Sequence, residues 1–176
     1  MYAIIDIETT GSPVEKNGIT DIAIIHYNGE KTEKKYETLI NPHVAIPQYV
    51  EKLTGITNEM VAKAPDFNEV AGEIFEMLDG KIFVAHNADF DYSYVQHFLR
   101  NAGYDYSADV LCTLNLSRKA FPNIQKHGLE NLCKELDITN SSRHRAMGDA
   151  YATTQILEKI LKNGGRKLAA SMIYQL

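Results

Sequence analysis

The stretch YAIIDIET, residues 2–9, is an apolar run that carries two acids, Asp6 and Glu8, near its end. Apolar side chains occupy both odd and even positions, which is typical of a central strand buried on both faces. Residues two apart on a strand project from the same face, so the two carboxylates point to one side. Buried carboxylates are costly unless their charge is cancelled, and their oxygens are the ligands that Mg²⁺ and Mn²⁺ prefer. The pair therefore favours a metal site over a solvated strand face.

The composition limits the class of protein around this strand. The chain has 176 residues, 44% of them hydrophobic and 23% charged, which is ordinary for one globular domain. Its net charge is −5, whereas nucleic-acid binders are more often basic, and divalent cations held by several acids would weaken that objection. We see no apolar run long enough to cross a membrane, no secretory signal and no metal-ligand spacing between the two cysteines. We therefore expect a cytoplasmic protein with free thiols.

Strand and helix patterns alternate along the rest of the chain. The predicted strands are residues 2–9, 19–29, 34–40, 81–88 and 108–114, with a hairpin turn at Asn28-Gly29. The predicted helices are residues 67–78, 89–101, 115–121, 128–136 and 147–161, with short turns at 50–53 and 58–62 and Asp66 as an N-cap. Residues 163–176 are a tail or a further short helix. This order indicates an α/β layered domain with a mixed sheet whose first three strands are antiparallel.

Further acids stand where strands and helices meet. HNADFD, residues 86–91, offers Asp89 and Asp91 at a helix start, where an N-cap or a dipole partner is the ordinary role, and spacing does not choose between them. HRAMGDA places His144 five residues before Asp149, a spacing that turns side chains apart by about 140° in one helix. If His144 lies in the preceding loop, both side chains can face one cleft. Acids from these places can converge at a sheet edge and hold two cations roughly 3.5–4 Å apart, the spacing that clamps a phosphodiester.

Taken together, these motifs resemble a known family. DIETTG at residues 6–11, LTGIT at 53–57, VAHNADFD at 84–91 and HRAMGDA at 144–150 are similar, in this order, to the DEDD-type 3′–5′ exonucleases that carry a histidine. The similarity is greatest to the proofreading exonucleases of bacterial DNA polymerase III, and it spans residues 2–161. It implies a ribonuclease H-like three-layer fold with a five-stranded mixed sheet flanked by helices. It also implies a single exonuclease domain over residues 1–176, with a core at about 2–162.

The resemblance also implies roles for individual residues. The expected metal ligands are Asp6, Glu8, Asp91 and Asp149, so that Asp91 is chosen over Asp89, and the expected general base is His144. The expected contacts to the terminal nucleotide are Thr9, Thr10, Gly11, Thr54, Gly55 and Ile56. Phe90 would line the cleft, although a helical Phe more often joins a core. Arg143 and Arg145, which flank the histidine, would contact the phosphate backbone, although charged residues more often lie on a solvated face.

The implied activity is metal-dependent hydrolysis from the 3′ end of single-stranded or frayed DNA. Two Mg²⁺ or Mn²⁺ ions would be the cofactors, nucleoside 5′-monophosphates the products, and a DNA polymerase subunit a candidate partner. Three alternatives stay open at this point. One is an exonuclease of RNA or oligoribonucleotides, which contact to the 2′-hydroxyl would distinguish. The others are a non-catalytic nucleic-acid- or polymerase-binding module of the same fold, and a metal-dependent phosphatase for small nucleotides.

Overall fold

A computed structural model describes residues 1–176 as helices packed on both faces of one mixed sheet. The strands are β1 (Tyr2–Thr9), β2 (Ile19–Tyr27), β3 (Thr32–Leu39), β4 (Ile82–Ala85), β5 (Asp109–Cys112) and β6 (Tyr174–Gln175). They lie in the order β3-β2-β1-β4-β5-β6. The first three are antiparallel, as predicted, and β1 pairs parallel with β4 on its other side. The acid-bearing strand β1 therefore lies inside the sheet.

Eight α-helices connect and cover these strands. They are α1 (Gln48–Thr54), α2 (Asn58–Val61), α3 (Phe67–Leu78), α4 (Ala88–Asn101), α5 (Thr113–Ala120), α6 (Leu129–Glu135), α7 (Ala146–Ile160) and α8 (Arg166–Ser171). The predicted N-cap of α3 is confirmed. The Asp66 side chain accepts a hydrogen bond from the backbone N–H of Glu69, and the Glu69 carboxylate accepts one from the backbone N–H of Asp66. No helix has the length and apolar character needed to cross a lipid bilayer.

The two sides of β1 pack against two separate hydrophobic cores. Ala3, Ile5 and Ile7 pack in the core that α3 and α4 cover, whereas Ile4 packs in the core under α7. The prediction of a strand buried on both faces is confirmed. Because side chains alternate along a strand, Asp6 and Glu8 share the face of Ile4 and point toward α7. The two acids thus lie where that core opens at the end of the strand.

The sheet has six strands rather than the five expected from the sequence. The additional strand β6 pairs antiparallel with β5, with Val110 opposite Tyr174 and Asp109 opposite Gln175. Helix α8 precedes it and buries Ala169 in the core under α7. A strand of two residues has no periodicity that a sequence pattern can reveal, which is why it was not predicted. The two cysteines are buried and free, as expected.

Candidate active site

The acidic cluster is centred on Asp6, the first of the two acids on β1. The Asp6 residue is half-buried, so part of its surface still meets solvent. Burial raises the pKa of Asp6 well above its usual value, and the negative charges of Asp91, Asp149 and Glu8 raise it further. The structure therefore brings together four acids from distant parts of the chain.

Asp91 joins the cluster from the first turn of α4. Its Oδ1 accepts a hydrogen bond of 3.2 Å from the backbone N–H of Ile7, so the helix start is tied directly to β1. Burial raises the pKa of Asp91 to about 8, although the hydrogen bond from Ile7 favours the charged form. This side chain is buried and Asp89 is exposed, so Asp91 is the acid of the two that reaches the cluster.

Asp149 and His144 reach the cluster from either side of the start of α7. His144 lies in the loop before the helix with φ of 60°, a left-handed backbone conformation. Its backbone N–H donates to Oδ2 of Asp149 at 3.2 Å, while the side chain of Asn140 donates to Oδ1 at 2.5 Å. One ligand atom each from Glu8, His144 and Asp149 lies within 4.8 Å of the others. The five-residue spacing is thus compatible with a shared cleft because His144 is outside the helix.

The electrostatics of the cluster fit a divalent cation. Burial, followed by the charges of Asp149 and Asp21, raises the pKa of Glu8 to about 7. Burial also raises the pKa of Asp149, against the hydrogen bonds from Asn140 and His144. Buried acids are costly in their charged form, and a divalent cation bound among these oxygens would stabilise that form.

Asp21 on β2 is a fifth acid near the site, and the sequence reasoning missed it. It lies opposite Glu8 in the β1–β2 ladder and its side chain is fully buried. Its Oδ2 accepts from Nε of Arg145 at 2.9 Å and from the backbone N–H of Ala146 at 3.3 Å, whereas Oδ1 has no partner. The signal was present in the sequence as an acid inside the apolar run ITDIAII.

The two arginines beside His144 are engaged in ion pairs. Arg145 pairs with Asp21 and lies 4.0 Å from Glu37, while Arg143 pairs with Glu130 of α6 at 2.9 Å. Arg143 also borders a cavity of about 470 Å³ together with His144 and Asp149. Arg145 lines a second cavity of about 440 Å³ beside Glu37. The contacts to phosphate predicted for both arginines stay predictions.

The loop that follows β1 is held by its own hydrogen bonds. Thr10 is buried, and its hydroxyl donates to Oδ1 of Asn17 at 2.9 Å and accepts from the Gly18 N–H at 3.1 Å. The Thr9 hydroxyl donates to the carbonyl of Gly11, which also accepts from Tyr94 of α4. The predicted nucleotide contacts of Thr9 and Thr10 would therefore be made from a rigid loop.

The LTGIT stretch ends α1 and turns the chain toward α2. Thr54 is buried, with its hydroxyl donating to the carbonyl of Val50 and accepting from the Ile56 N–H. Gly55 ends the helix at φ of 72°, and Ile56 is buried in a small separate core. Phe90 is 36% exposed rather than part of a core, and its ring packs 5.0 Å from that of Tyr94. The predicted role of Phe90 in lining the cleft stays a prediction.

Comparison with known proteins identifies a matching family and similar chains. Residues 3–157 match the family RNase_T, described as Exonuclease. A protein of Bacillus subtilis named 3′-5′ exonuclease DinG is 42% identical over 164 residues, which are 92% of this chain but 18% of that protein. The DNA polymerase III subunit epsilon of Aquifex aeolicus is 35% identical over 92% of this chain and 80% of the relative.

Solved structures with the same fold are also found. Exonuclease X in complex with 5′ overhanging duplex DNA has a TM-score of 0.78 and 29% identity, covering 98% of this chain and 97% of its own. The nuclease domain of 3′hExo, a DEDDh family member bound to rAMP, has a TM-score of 0.79 over 99% of this chain and 95% of its own. Its identity of 17% limits that likeness to the fold.

Proposed function

Because this chain belongs to the exonuclease family RNase_T, we propose that it hydrolyses phosphodiester bonds from the 3′ end of single-stranded or frayed DNA. The family and the ribonuclease H-like fold predicted from the sequence are both confirmed by the likenesses. The observation that carries the proposal is the convergence of Asp6, Glu8, Asp91 and Asp149 into one acidic cluster. The names of the DinG and epsilon relatives support the 3′–5′ direction and DNA as the substrate, and the epsilon relative also supports a DNA polymerase as a partner.

Asp6, Glu8, Asp91 and Asp149 would hold two divalent cations. Their hard oxygen donors suit Mg²⁺ or Mn²⁺. Burial raises the pKa values of Asp6 and Asp91, and bound cations would stabilise the charged form of both carboxylates. Such ions, when bound, acidify water and stabilise negative charge on a leaving oxygen. Glu8 would either bind metal or hold the attacking water in place.

His144 would act as the general base. Imidazole is the side chain best suited to proton transfer near neutral pH, and this one lies beside Glu8 and Asp149. As the water oxygen bonds to phosphorus, His144 would accept a proton from that water. The bond from phosphorus to the 3′ oxygen of the preceding nucleotide would break, and a nucleoside 5′-monophosphate would leave. The left-handed backbone at His144 and its N–H bond to Asp149 would keep the ring close to the acids.

The surroundings of the cleft would bind the terminal nucleotide. The loop of Thr9, Thr10 and Gly11 directly follows Asp6 and Glu8 in the chain, and residues 54–56 lie at the end of α1, where Ile56 packs in the small core. The rings of Phe90 and Tyr94 are packed together, and the exposed part of Phe90 is free to stack on a base. Arg143 would meet a phosphate at the cavity beside His144.

One digestion experiment tests the proposal. Single-stranded DNA, duplex DNA and RNA of the same sequence, each labelled at the 5′ end, would be incubated with Mg²⁺, with Mn²⁺ or with EDTA. We expect a ladder of progressively shorter labelled single-stranded DNA with either metal and none with EDTA. A 3′ label should appear at once as a labelled mononucleotide. Intact DNA under every metal condition would contradict the proposal, and faster loss of RNA would replace DNA with RNA as the substrate.

A further inference from the structure

The tail of the chain reaches the helix that carries Asp91. The hydroxyl of Tyr174, on β6, donates a hydrogen bond of 2.5 Å to Oδ1 of Asp89. Asp89 lies in the first turn of α4, two residues before Asp91. A side chain 85 residues further along the chain thus holds the start of a helix that contributes to the acidic cluster.

The first turn of α4 depends on such contacts because it has no side-chain cap. The residue before the helix, Asn87, has φ of 76° and its side chain caps no backbone N–H. Helix starts leave several N–H groups without intrahelical partners, so an uncapped first turn is held mainly by tertiary contacts. Two side-chain hydrogen bonds join this turn to the rest of the protein, since Asp91 accepts from the Ile7 N–H and Asp89 accepts from the Tyr174 hydroxyl. The first helical residue, Ala88, is also buried in the core that α3 and α4 cover.

Tyr174 is itself well fixed in position. It pairs with Val110 of β5, and its ring packs against the core that α3 and α4 cover. Burial and the neighbouring Asp89 carboxylate raise the pKa of Tyr174, so its hydroxyl remains a donor at any working pH. The neighbouring Gln175 donates separately to Asp109 at 3.1 Å, which offers a second tail contact that does not involve α4.

We propose that Tyr174 is a positioning residue, which acts through Asp89 to hold the first turn of α4 so that Asp91 stays in place for a divalent cation. The inference rests on the proposed function, since it assigns Asp91 to a cation site. The Asp89 side chain is exposed and its Oδ1 accepts from Tyr174, so the inference assigns Asp89 a structural contact and assigns the cation to Asp91. Sequence spacing left the roles of Asp89 and of residues 163–176 open, and this contact gives a role to both.

The test is the variant Tyr174→Phe, which removes one hydroxyl and keeps the ring in the core. We expect its affinity for Mn²⁺, measured by calorimetry on the protein without DNA, to fall by about 3- to 10-fold, the range that one lost hydrogen bond gives. Exonuclease activity should need correspondingly more Mn²⁺ and return to the wild-type kcat at saturating metal, with the KM for DNA unchanged. Amide hydrogen exchange at residues 88–91 should become faster, a change that simple loss of packing in the tail would not confine to this turn.

Three variants serve as controls. Gln175→Ala removes a different side-chain contact of the tail, the one to Asp109, and should keep the wild-type affinity for Mn²⁺. Asp89→Asn keeps an oxygen that can accept from Tyr174, so it should also keep the wild-type affinity for Mn²⁺. Asp89→Ala removes that oxygen and should lower the Mn²⁺ affinity as much as Tyr174→Phe does. The double variant of Tyr174→Phe with Asp89→Ala should be no worse than either single variant, since both remove the same contact.

The outcomes separate this inference from the proposed function. Unchanged Mn²⁺ affinity in Tyr174→Phe would overturn the positioning role while the exonuclease assignment stands on the wild-type digestion. A much larger loss in Asp89→Ala than in Tyr174→Phe would also overturn it, because Asp89 would then be a direct ligand. A wild-type chain that binds Mn²⁺ but digests no DNA would overturn the exonuclease assignment alone. A chain that digests DNA but binds no Mn²⁺ would overturn both this inference and the proposed metal site.

Discussion

Arg145 and Asp21 form an ion pair that joins β2 to the start of α7, with 2.9 Å between Nε and Oδ2. The same oxygen accepts a hydrogen bond from the backbone N–H of Ala146, the first residue of α7. The residue before this helix provides no side-chain cap, so Asp21 takes up one of the free N–H groups at the helix start. The Asp21 side chain is fully buried while that of Arg145 is 36% exposed. The pair therefore holds the segment that carries His144 against the sheet.

Removing the guanidinium should destabilise the fold. Arg145→Ala leaves Asp21 buried without its cation, and we expect a loss on the order of 2 kcal/mol in the free energy of unfolding, measured by urea denaturation. Arg145→Lys should recover only part of this, because an ammonium group does not reproduce the position of Nε. Arg143→Ala is the matched control, since its pair with exposed Glu130 should matter little to stability. Equal losses in the two alanine variants would contradict the interpretation.

Gly148 provides a second test of the loop that carries His144. A Cβ at this position would lie 3.0 Å from Oδ1 of Asn140 and closer still to the carbonyl oxygen of Ser142. Because backbone atoms block the space, Gly148→Ala should push the loop away and lower kcat by about 10²-fold. Gly128→Ala adds the same methyl group where nothing lies within 4 Å, and it should leave kcat close to wild type. Steady-state kinetics on single-stranded DNA would compare the two, and an active Gly148→Ala enzyme would show that the loop tolerates displacement.

His144→Ala should slow turnover without removing the metal site. A positioned acid–base group typically contributes 10²- to 10⁴-fold, so kcat should fall by about that factor. Binding of Mn²⁺, measured by calorimetry, should be largely retained because Asp6, Glu8, Asp91 and Asp149 remain. His43→Ala, on the exposed surface, should change neither quantity. Wild-type turnover in His144→Ala would refute the assignment of the base.

The acidic cluster should make the metal-free protein less stable as pH rises. The pKa is raised to about 7 for Glu8 and about 8 for Asp91, so between the unfolded values near 4 and these values the folded state binds more protons. Stability then falls with increasing pH, because the unfolding free energy declines wherever the folded state holds the extra protons. With EDTA, the Tm should be lower at pH 8 than at pH 6, and Mn²⁺ should reduce that difference. A Tm in EDTA that increases over this range would count against the cluster.

Asp6→Asn should separate activity from stability. The substitution removes a carboxylate at the centre of the cluster, so exonuclease activity should be nearly abolished. The metal-free variant should nevertheless have a higher Tm than wild type at pH 8, because burial beside other acids makes the Asp6 carboxyl costly to fold, whereas a neutral amide avoids that cost. Differential scanning calorimetry in EDTA checks the stability, and the digestion of labelled DNA checks the activity. A variant that remains active would exclude Asp6 from the metal site.

The sequence predicted the parts of the site that follow from periodicity and from motifs. The position of β1, its burial on both faces and the common side of Asp6 and Glu8 all follow from alternation along a strand. Spacing could not choose between Asp89 and Asp91, because both lie in the first turn of α4. The resemblance favoured Asp91, and the hydrogen bond to Ile7 shows how the fold brings it to β1.

Other features depend on contacts that no local pattern encodes. His144 has a left-handed backbone within a loop. A hydrogen bond from the side chain of Asn140 to the carboxylate of Asp149 joins this loop to α7. The pairing of Asp21 with Arg145 joins residues 124 positions apart, so it follows from the packing of α7 on β2. Strand β6 is too short for any periodicity, and it forms because the edge of β5 offers unpaired backbone groups.

The outer edge of the sheet has a consequence for the behaviour of the chain in concentrated solution. Strand β3, TEKKYETL, forms one edge of the sheet, and Glu33, Lys34, Lys35 and Glu37 are exposed along it. A second molecule adding a strand there would have to desolvate these charges and bring like ones close together. The charged edge thereby opposes growth of the sheet into intermolecular aggregates or fibrils, even though its backbone hydrogen-bonding groups are open to such pairing.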